Sequence, residues 1–282
     1  MLPSIECLAP AKLNLFLHIT GRRDDGYHLL QTVFQFLNYG DLLRFQCRND
    51  GEIHRVSDLE GVPAESDLMV RAARALQAHT GSSLGVDIFI DKRLPMGGGL
   101  GGGSSDAATT LLVLNRLWDL QLVEDELAQL GLQLGADVPV FVRGQAAFAE
   151  GVGEVLTPVE PVEAWFLVLI PPVSIATAEI FSHKGLTRDS ESIRICDLET
   201  AQCTNVCQDI ACKLYPEVAE HLDWLLEYDP NAKMTGTGAC VFASFIDEQS
   251  AQQAMKALPS DWKGFVAQGM NTSPAIGCLE RE

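Results

Sequence analysis

A chain of 282 residues with 47% apolar content has enough material for one large hydrophobic core or two of ordinary size, and two domains are expected. Its formal charge of −18 excludes the class of proteins that grip nucleic-acid phosphates through a basic surface, so any phosphate bound here is held locally, by backbone and a few lysines. Eight cysteines without a Cys-x-x-Cys pair, in a chain too long to need disulfide staples, point to a reducing cytoplasm.

In chain order, Ile5 to Thr20 reads as a strand interrupted by Ala9-Pro10-Ala11-Lys12-Leu13-Asn14 before the apolar run Leu15 to Ile19. Glu6 and the shortness of that run argue against a secretory leader, and Trp165 to Ile170 is too short to span a membrane, so no membrane association is expected. Lys12 is either a lysine snorkelling to the strand edge or a cation reaching into a site for a phosphoryl group or a hydroxyl. Gly21 to His28 is a turn by its glycines and aspartates, with Tyr27 and His28 at its end. His28 suits contact with a polar or aromatic ligand group better than general-base work. Strands are expected over 29–37 and 41–47. Ser66 reads as the N-cap of a helix that carries Leu68, Ala72, Ala73 and Leu76 on one face and ends at Gly81.

Gly85 to Asp91 alternates like a half-buried strand and leads into Pro95 to Asp106, which holds six glycines within the seven positions 97–103. Glycine loses more backbone entropy on ordering than any other residue. Such a run therefore marks backbone that needs left-handed torsions, or that must let an anion such as phosphate approach its N–H groups directly. Ala107, Ala108, Leu111, Leu112, Leu114 and Trp118 then recur with helical spacing, so the loop feeds a helix N-terminus, whose unpaired donors and dipole attract anions. Ser104 or Ser105 is the expected N-cap, its hydroxyl within reach of a phosphate or its metal. A Walker loop is excluded because no lysine follows the glycines. A dinucleotide fingerprint, formally matched at Gly97, Gly99 and Gly102, is weak, because this run satisfies almost any glycine pattern and Asp119 ends a helix rather than the next strand.

Glu124 to Leu134 reads as an acidic amphipathic helix. Gly135-Ala136-Asp137-Val138-Pro139 then sets Asp137 directly before a buried segment, either as a cap or turn residue or as a carboxylate facing a cleft. Pro139 fits a helix first turn. Residues 145–150 and 154–158 flank Gly151-Val152-Gly153 as a hairpin, and a domain boundary is expected near 157–164. A buried strand over 165–170, a polar loop with a helical turn over 184–205 and an amphipathic helix over 217–228 follow. Cys196, Cys203, Cys207 and Cys212 match no tetrahedral zinc spacing and read as ordinary small side chains. A second glycine turn, Lys233 to Cys240, precedes a strand over 241–245 and is either a tight hairpin or an anion nest. A helix over 248–258 and a strand over 264–269 close the chain.

Pro95-Met96-Gly97-Gly98-Gly99-Leu100-Gly101-Gly102-Gly103-Ser104-Ser105 resembles the P-x-x-x-G-L-G-S-S-like loop of the galactokinase, homoserine kinase, mevalonate kinase and phosphomevalonate kinase (GHMP) family. Ala9 to Leu17, Gly26-Tyr27-His28, Gly135 to Pro139 and Thr235-Gly236-Thr237-Gly238 fall in the family's order, and the resemblance runs from Ala9 to about Pro274. Within the family these stretches are similar to members whose alcohol is carried on a cytidine diphosphate.

The resemblance implies an α+β chain with an N-terminal ribosomal-S5-domain-2-like domain (1–158), a C-terminal ferredoxin-like α/β sandwich (159–282) and an active site in the cleft between them. It implies a phosphotransferase that uses ATP and Mg²⁺ on a small-molecule cytidine diphosphate alcohol, with neither a nucleic-acid nor a protein partner. Carried over residue by residue, Lys12 and Asp137 match the catalytic pair. Pro95 to Ser105 match the phosphate loop, with Ser104 or Ser105 near Mg²⁺, and Lys92, Asp67 and Leu68 match the nucleotide edge. Asn14, Tyr27, His28, Thr177, Phe181, Thr235, Gly236, Thr237 and Gly238 match the substrate side, the aromatics stacking on the base. Asp67 stands where some relatives have asparagine, and no carboxylate identifies itself as a metal ligand. Asp106 suits the helix dipole and is expected to turn away from the triphosphate. Two other readings stay open: a family kinase for another small alcohol, and a non-catalytic nucleotide-binding protein, against which the presence of both Lys12 and Asp137 speaks.

Overall fold

The computed structural model describes residues 3–198, 200–201 and 203–280. The first half runs β1 (Ser4–Arg22), β2 (His28–Arg48), β3 (Ile53–Arg55), α1 (Leu68–Thr80), β4 (Gly85–Asp91), α2 (Gly102–Leu117), α3 (Glu124–Leu132), α4 (Val138–Arg143), β5 (Ala147–Glu150) and β6 (Val155–Pro158). The second runs β7 (Trp165–Ile170), α5 (Thr177–Ser182), α6 (Gln208–Leu214), α7 (Pro216–Leu226), β8 (Lys233–Met234), β9 (Val241–Phe245), α8 (Glu248–Lys256), β10 (Lys263–Met270) and α9 (Pro274–Glu280).

The strands form one sheet in the order β3-β4-β2-β10-β7-β9-β8, with β1 and β5 also on β2, and β6 on β5. Among these pairs β3 and β4 run parallel and the others antiparallel. The strands expected over 29–37 and 41–47 are a single strand, β2. The break expected at Gly40 is instead a close strand crossing, where a Cβ would lie 2.0 Å from the Ala9 carbonyl oxygen. Likewise β1 is continuous but bulged, with register shifts between Pro10 and Lys12, between Asn14 and Leu17, and between Ile19 and Gly21. Bulges re-aim side chains, and here they flank Lys12 and Asn14, two polar residues that are nonetheless buried.

Among the described residues three larger clusters and a small fourth one, around Phe16, Val33 and Phe148, fill the interior. One packs α1, α2 and α4 on β2 and β4 through Phe36, Phe45, Met69, Leu76, Leu111 and Phe141. A second packs α6, α7 and α8 on β7 and β9 through Leu167, Ile210, Val218, Leu225 and Val241. The third joins the halves, bringing Ala11, Leu13, Leu37 and Leu100 against Phe166, Phe242 and Phe265. The glycine loop thus hangs from a core that belongs to both halves.

Two local expectations, the caps of α1 and α2, are corrected, and the position of Asp137 is defined. Asp67, not Ser66, caps α1: its Oδ1 accepts from Met69 N at 2.7 Å, while the Ser66 hydroxyl donates to Pro63 O at 2.9 Å. Neither Ser104 nor Ser105 caps α2; the helix starts earlier, behind Gly101 at φ 72°, which places both serines in its first turn. Asp137 holds the N-cap position of α4 without a capping hydrogen bond, so its carboxylate is available elsewhere. The short β3, α6 and α9 were not expected, being too brief or too polar to carry a period.

Candidate active site

A cleft of about 540 Å³ opens between the glycine loop, β1, β2 and the start of α4. Lys12 and Asn14 reach it from the bulged part of β1. Lys12 Nζ donates to Gly99 O at 2.9 Å and to Asn14 Oδ1, lies 5.3 Å from the centre of the Phe34 ring, and stands 3.5 Å from Asp137 Oδ2. Asn14 is fixed in turn: its Nδ2 donates to Thr32 Oγ1 at 2.9 Å and its backbone N–H to Thr235 Oγ1 at 3.0 Å. The lysine is almost wholly buried while the Asp137 side chain is 35% exposed. Burial pushes the Lys12 ammonium below its ordinary value, and the Asp137 carboxylate opposes that shift. The pair is therefore a held cation beside a carboxylate that solvent or a ligand can reach, which answers the open question about Lys12: it does not snorkel to an edge.

The two glycine turns touch. Ala239 N donates to Gly97 O at 3.3 Å and Cys240 N to Gly98 O at 3.1 Å. Gly99 has φ 75°, and a Cβ there would lie 2.2 Å from Thr235 O. Part of the glycine demand is thus internal: the loop must let a second backbone pass. The rest faces outward, where the first turn of α2 leaves N–H groups without intrahelical acceptors at the cleft. That cradle suits a polyphosphate.

Lys92 reaches the same wall from the segment after β4. Its Nζ donates to Asp41 Oδ2 at 2.6 Å and Asp106 Oδ2 at 2.8 Å. Burial pulls the lysine down, but the two carboxylates outweigh it and hold it above its ordinary value. The Asp106 carboxyl is pushed up to about 8, chiefly by its burial. Asp106 does not turn away as expected; it lines the cleft, compensated by Lys92. Asp41, overlooked in the sequence, is fully buried, and its Oδ1 accepts from Arg93 N at 2.7 Å and Leu94 N at 2.8 Å, which anchors the chain entering the glycine loop. Its one sequence signal was a carboxylate set directly before the apolar Leu42-Leu43.

Of the residues expected at the site, Lys12, Asn14, Asp67, Leu68, Lys92, Pro95 to Ser104, Asp137, Thr177, Phe181, Gly236 and Thr237 line this cleft. Ser105, Tyr27, His28, Thr235 and Gly238 do not. Ser105 is buried inside α2 with an unpartnered hydroxyl, and Thr235 sits behind the loop, its Oγ1 donating to Gly99 O at 3.3 Å. Tyr27 is 65% exposed, and His28 stacks on Phe181 with ring centres 5.1 Å apart. Asp67 is engaged by Arg55 Nη1 at 2.8 Å as well as by its capping bond. Thr177 and Thr237 share a hydrogen bond of 3.1 Å across the rim. Among the described residues no group of three or more His, Cys, Asp or Glu is arranged to hold a metal ion, and no helix is long and apolar enough to cross a membrane.

Comparison with known proteins adds the family. A model described as "GHMP kinases N terminal domain" matches residues 67–145, and one described as "GHMP kinases C terminal" matches residues 193–264. The chain is 58% identical over 271 residues to a protein of Pseudomonas syringae pv. syringae named 4-diphosphocytidyl-2-C-methyl-D-erythritol kinase, covering 96% of each. It is also 58% identical over 276 residues to the protein of that name from Cupriavidus metallidurans, covering 95% of this chain and 94% of that one. A crystal structure of 4-(cytidine 5'-diphospho)-2C-methyl-D-erythritol kinase superposes with a TM-score of 0.80 at 30% identity, covering 94% of this chain and 98% of the other. Mevalonate kinase from Methanococcus jannaschii, at 16% identity and a TM-score of 0.67, covers 96% of this chain and 99% of its own and shares the fold. With matching models in both halves and relatives aligned along nearly its whole length, the chain belongs to the GHMP kinase family.

Proposed function

We propose that this chain transfers the γ-phosphoryl group of ATP to the 2-hydroxyl of 4-diphosphocytidyl-2-C-methyl-D-erythritol, a step of non-mevalonate isoprenoid precursor synthesis in the cytoplasm. The observation that carries the reading is the pairing of buried Lys12 with accessible Asp137, 3.5 Å apart at the mouth of a glycine cradle. The names of relatives 58% identical over nearly the whole chain supply the alcohol.

Phosphoryl transfer passes through a loose transition state that needs alignment and charge neutralisation more than covalent help. Asp137 accepts the hydroxyl proton as the oxygen attacks, and Lys12 stabilises the negative charge growing on that oxygen while holding the carboxylate in place. Pro95 to Ser104 hold the ATP phosphates through backbone N–H groups, with Lys92, Asp67 and Leu68 on the nucleotide side. Asn14, Thr177, Phe181, Gly236 and Thr237 line the alcohol side. Tyr27 and His28 flank it at the base, and Thr235 and Gly238 support it from behind.

Mg²⁺ neutralises phosphate charge when bound. The Ser104 hydroxyl, the side-chain oxygen of the loop that lines the cleft, would help to hold it. In this reading residues 1–158 and 159–282 are the two domains.

The test is ADP release with a panel of alcohols. The cytidyl alcohol should turn over with a kcat/KM at least about 10³ above that for mevalonate or homoserine. Preference for either small alcohol would transfer the function to another kinase of the family, and ATP binding without ADP release on any alcohol would leave a nucleotide-binding protein.

A further inference from the structure

Arg188, in the polar stretch after α5, is fixed by hydrogen bonds on three of its nitrogens. Nη1 donates to Leu186 O at 3.0 Å, and Nη2 to Phe181 O at 2.8 Å and His183 O at 2.9 Å. Its Nε donates to His28 Nε2 at 3.0 Å, although an arginine beside a histidine is repulsive whenever the ring is charged. A guanidinium has donors only, so the ring nitrogen it meets must present a lone pair. The single proton of a neutral imidazole then sits on Nδ1. Among the described residues no group hydrogen-bonds that Nδ1.

The surroundings hold the ring neutral. Burial lowers the His28 value first, and the charged groups acting on it are both cations, Arg188 from this stretch and Arg22 from β1. Phe181, on α5, covers one face at an interplanar angle of 21°. The chain segment that carries Phe181 into the cleft is therefore tied to the histidine by the same arginine.

We propose that Arg188 is a positioning residue that locks His28 in its Nδ1–H tautomer, so that the base site beside Phe181 offers a pyrimidine a hydrogen-bond donor and prefers a ring with an acceptor at N3, as in cytosine, to one with N3–H, as in uracil. The proposal rests on the cytidyl reading above. A uracil N3–H set against this donor leaves two donors facing each other, each denied a partner. In the other tautomer His28 Nδ1 would be an acceptor and the preference would reverse.

Two measurements on the full chain decide it. The first is the ¹⁵N spectrum of the substrate-free protein, with His28 assigned by comparison with His28→Asn. At pH 7 it should show a protonated Nδ1 and an unprotonated Nε2; an Nε2–H tautomer or an imidazolium overturns the proposal. This readout needs no substrate, so it stands apart from failure of the kinase reading, which would appear as wild-type protein idle on the cytidyl alcohol.

The second is steady-state kinetics of Arg188→Met. The KM for the cytidyl alcohol should rise about tenfold at pH 8, with kcat and the KM for ATP within about twofold of wild type. It should then fall back as the pH drops towards about 5, because removing Arg188 lifts one of the causes that lower the ring's value, with burial and Arg22 remaining, so the variant ring takes a second proton at a higher pH than the wild-type ring and regains Nδ1–H. The wild-type KM should stay flat over that range. A rise that is equal at every pH, or that is shared by ATP, marks a merely structural role and overturns the proposal. Should the variant not fold, wild-type kcat/KM for the cytidyl alcohol against its uridyl analogue still decides: about 10² or more supports it, and less than about threefold overturns it.

Discussion

Lys12 and Lys92 border the same cleft, and both are largely withdrawn from water, but they keep opposite electrostatic company. Lys92 sits between two buried carboxylates, at 2.6 Å from Asp41 and 2.8 Å from Asp106, and is held above its ordinary value. Lys12 has a carbonyl and an amide oxygen as close ligands and one carboxylate at 3.5 Å, and is held below its ordinary value by burial. A cation clamped at hydrogen-bond distance between two buried carboxyl groups has little field left for a substrate. A cation with a single, solvent-reachable counter-ion has most of its field still directed at whatever enters, so Lys12 fits chemistry and Lys92 fits architecture.

Substitutions at each pair sharpen this division, and the largest effect is expected at Asp137. Asp137→Asn keeps the volume and loses the proton acceptor, so kcat should fall by about 10³ while the melting temperature barely moves; turnover near wild type would remove Asp137 as the base. Lys92→Met should instead cost about 3–5 kcal/mol of stability, read by denaturant unfolding, because it leaves Asp41 buried without its cation.

Gly99→Ala should destabilise by about 1–3 kcal/mol and weaken ATP binding, since φ 75° and the Thr235 carbonyl 2.2 Å from the new carbon both oppose it. The smallest change is expected for Asp106→Asn at or below about pH 4, within about 1 kcal/mol, because there the wild-type carboxyl carries a proton in both the folded and the unfolded chain, as the amide carries its hydrogens. The folded carboxyl binds its proton more tightly than the unfolded one, whose value is 3.8. Wild-type stability should therefore fall relative to the variant as the pH rises from about 4 to about 8.

The residues that line the cleft were more legible than those that support it. Lys12, Asp137 and the glycine run announce themselves because each breaks a local rule: a lysine and an asparagine inside an apolar strand, a carboxylate before a buried segment, glycines where entropy disfavours them. Periodicity located the strands at 85–91 and 165–170 and the helices after Gly101 and at 216–226, because each buries one face. It divided β2 in two, because Asn38, Tyr39 and Gly40 interrupt the alternation while the backbone continues. Partnerships between distant residues left no mark. Asp41 meets Lys92 across 51 positions and Arg188 meets His28 across 160, and neither spacing carries a period. The serine caps failed for a local reason: glycine at 101 and aspartate at 67 competed for the same positions and won, one through its left-handed φ and the other through its carboxylate.

The contrast between the lysines is tested most directly by measuring, for Lys12→Ala, both the turnover number with the cytidyl alcohol and the dissociation constant of ATP. If Lys12 works on the reacting oxygen, turnover falls by about 10²–10³ while ATP affinity changes by less than about threefold. Loss of ATP binding with turnover at saturation preserved would contradict the account and place Lys12, like Lys92, among the groups that shape the cleft rather than act on the reacting oxygen.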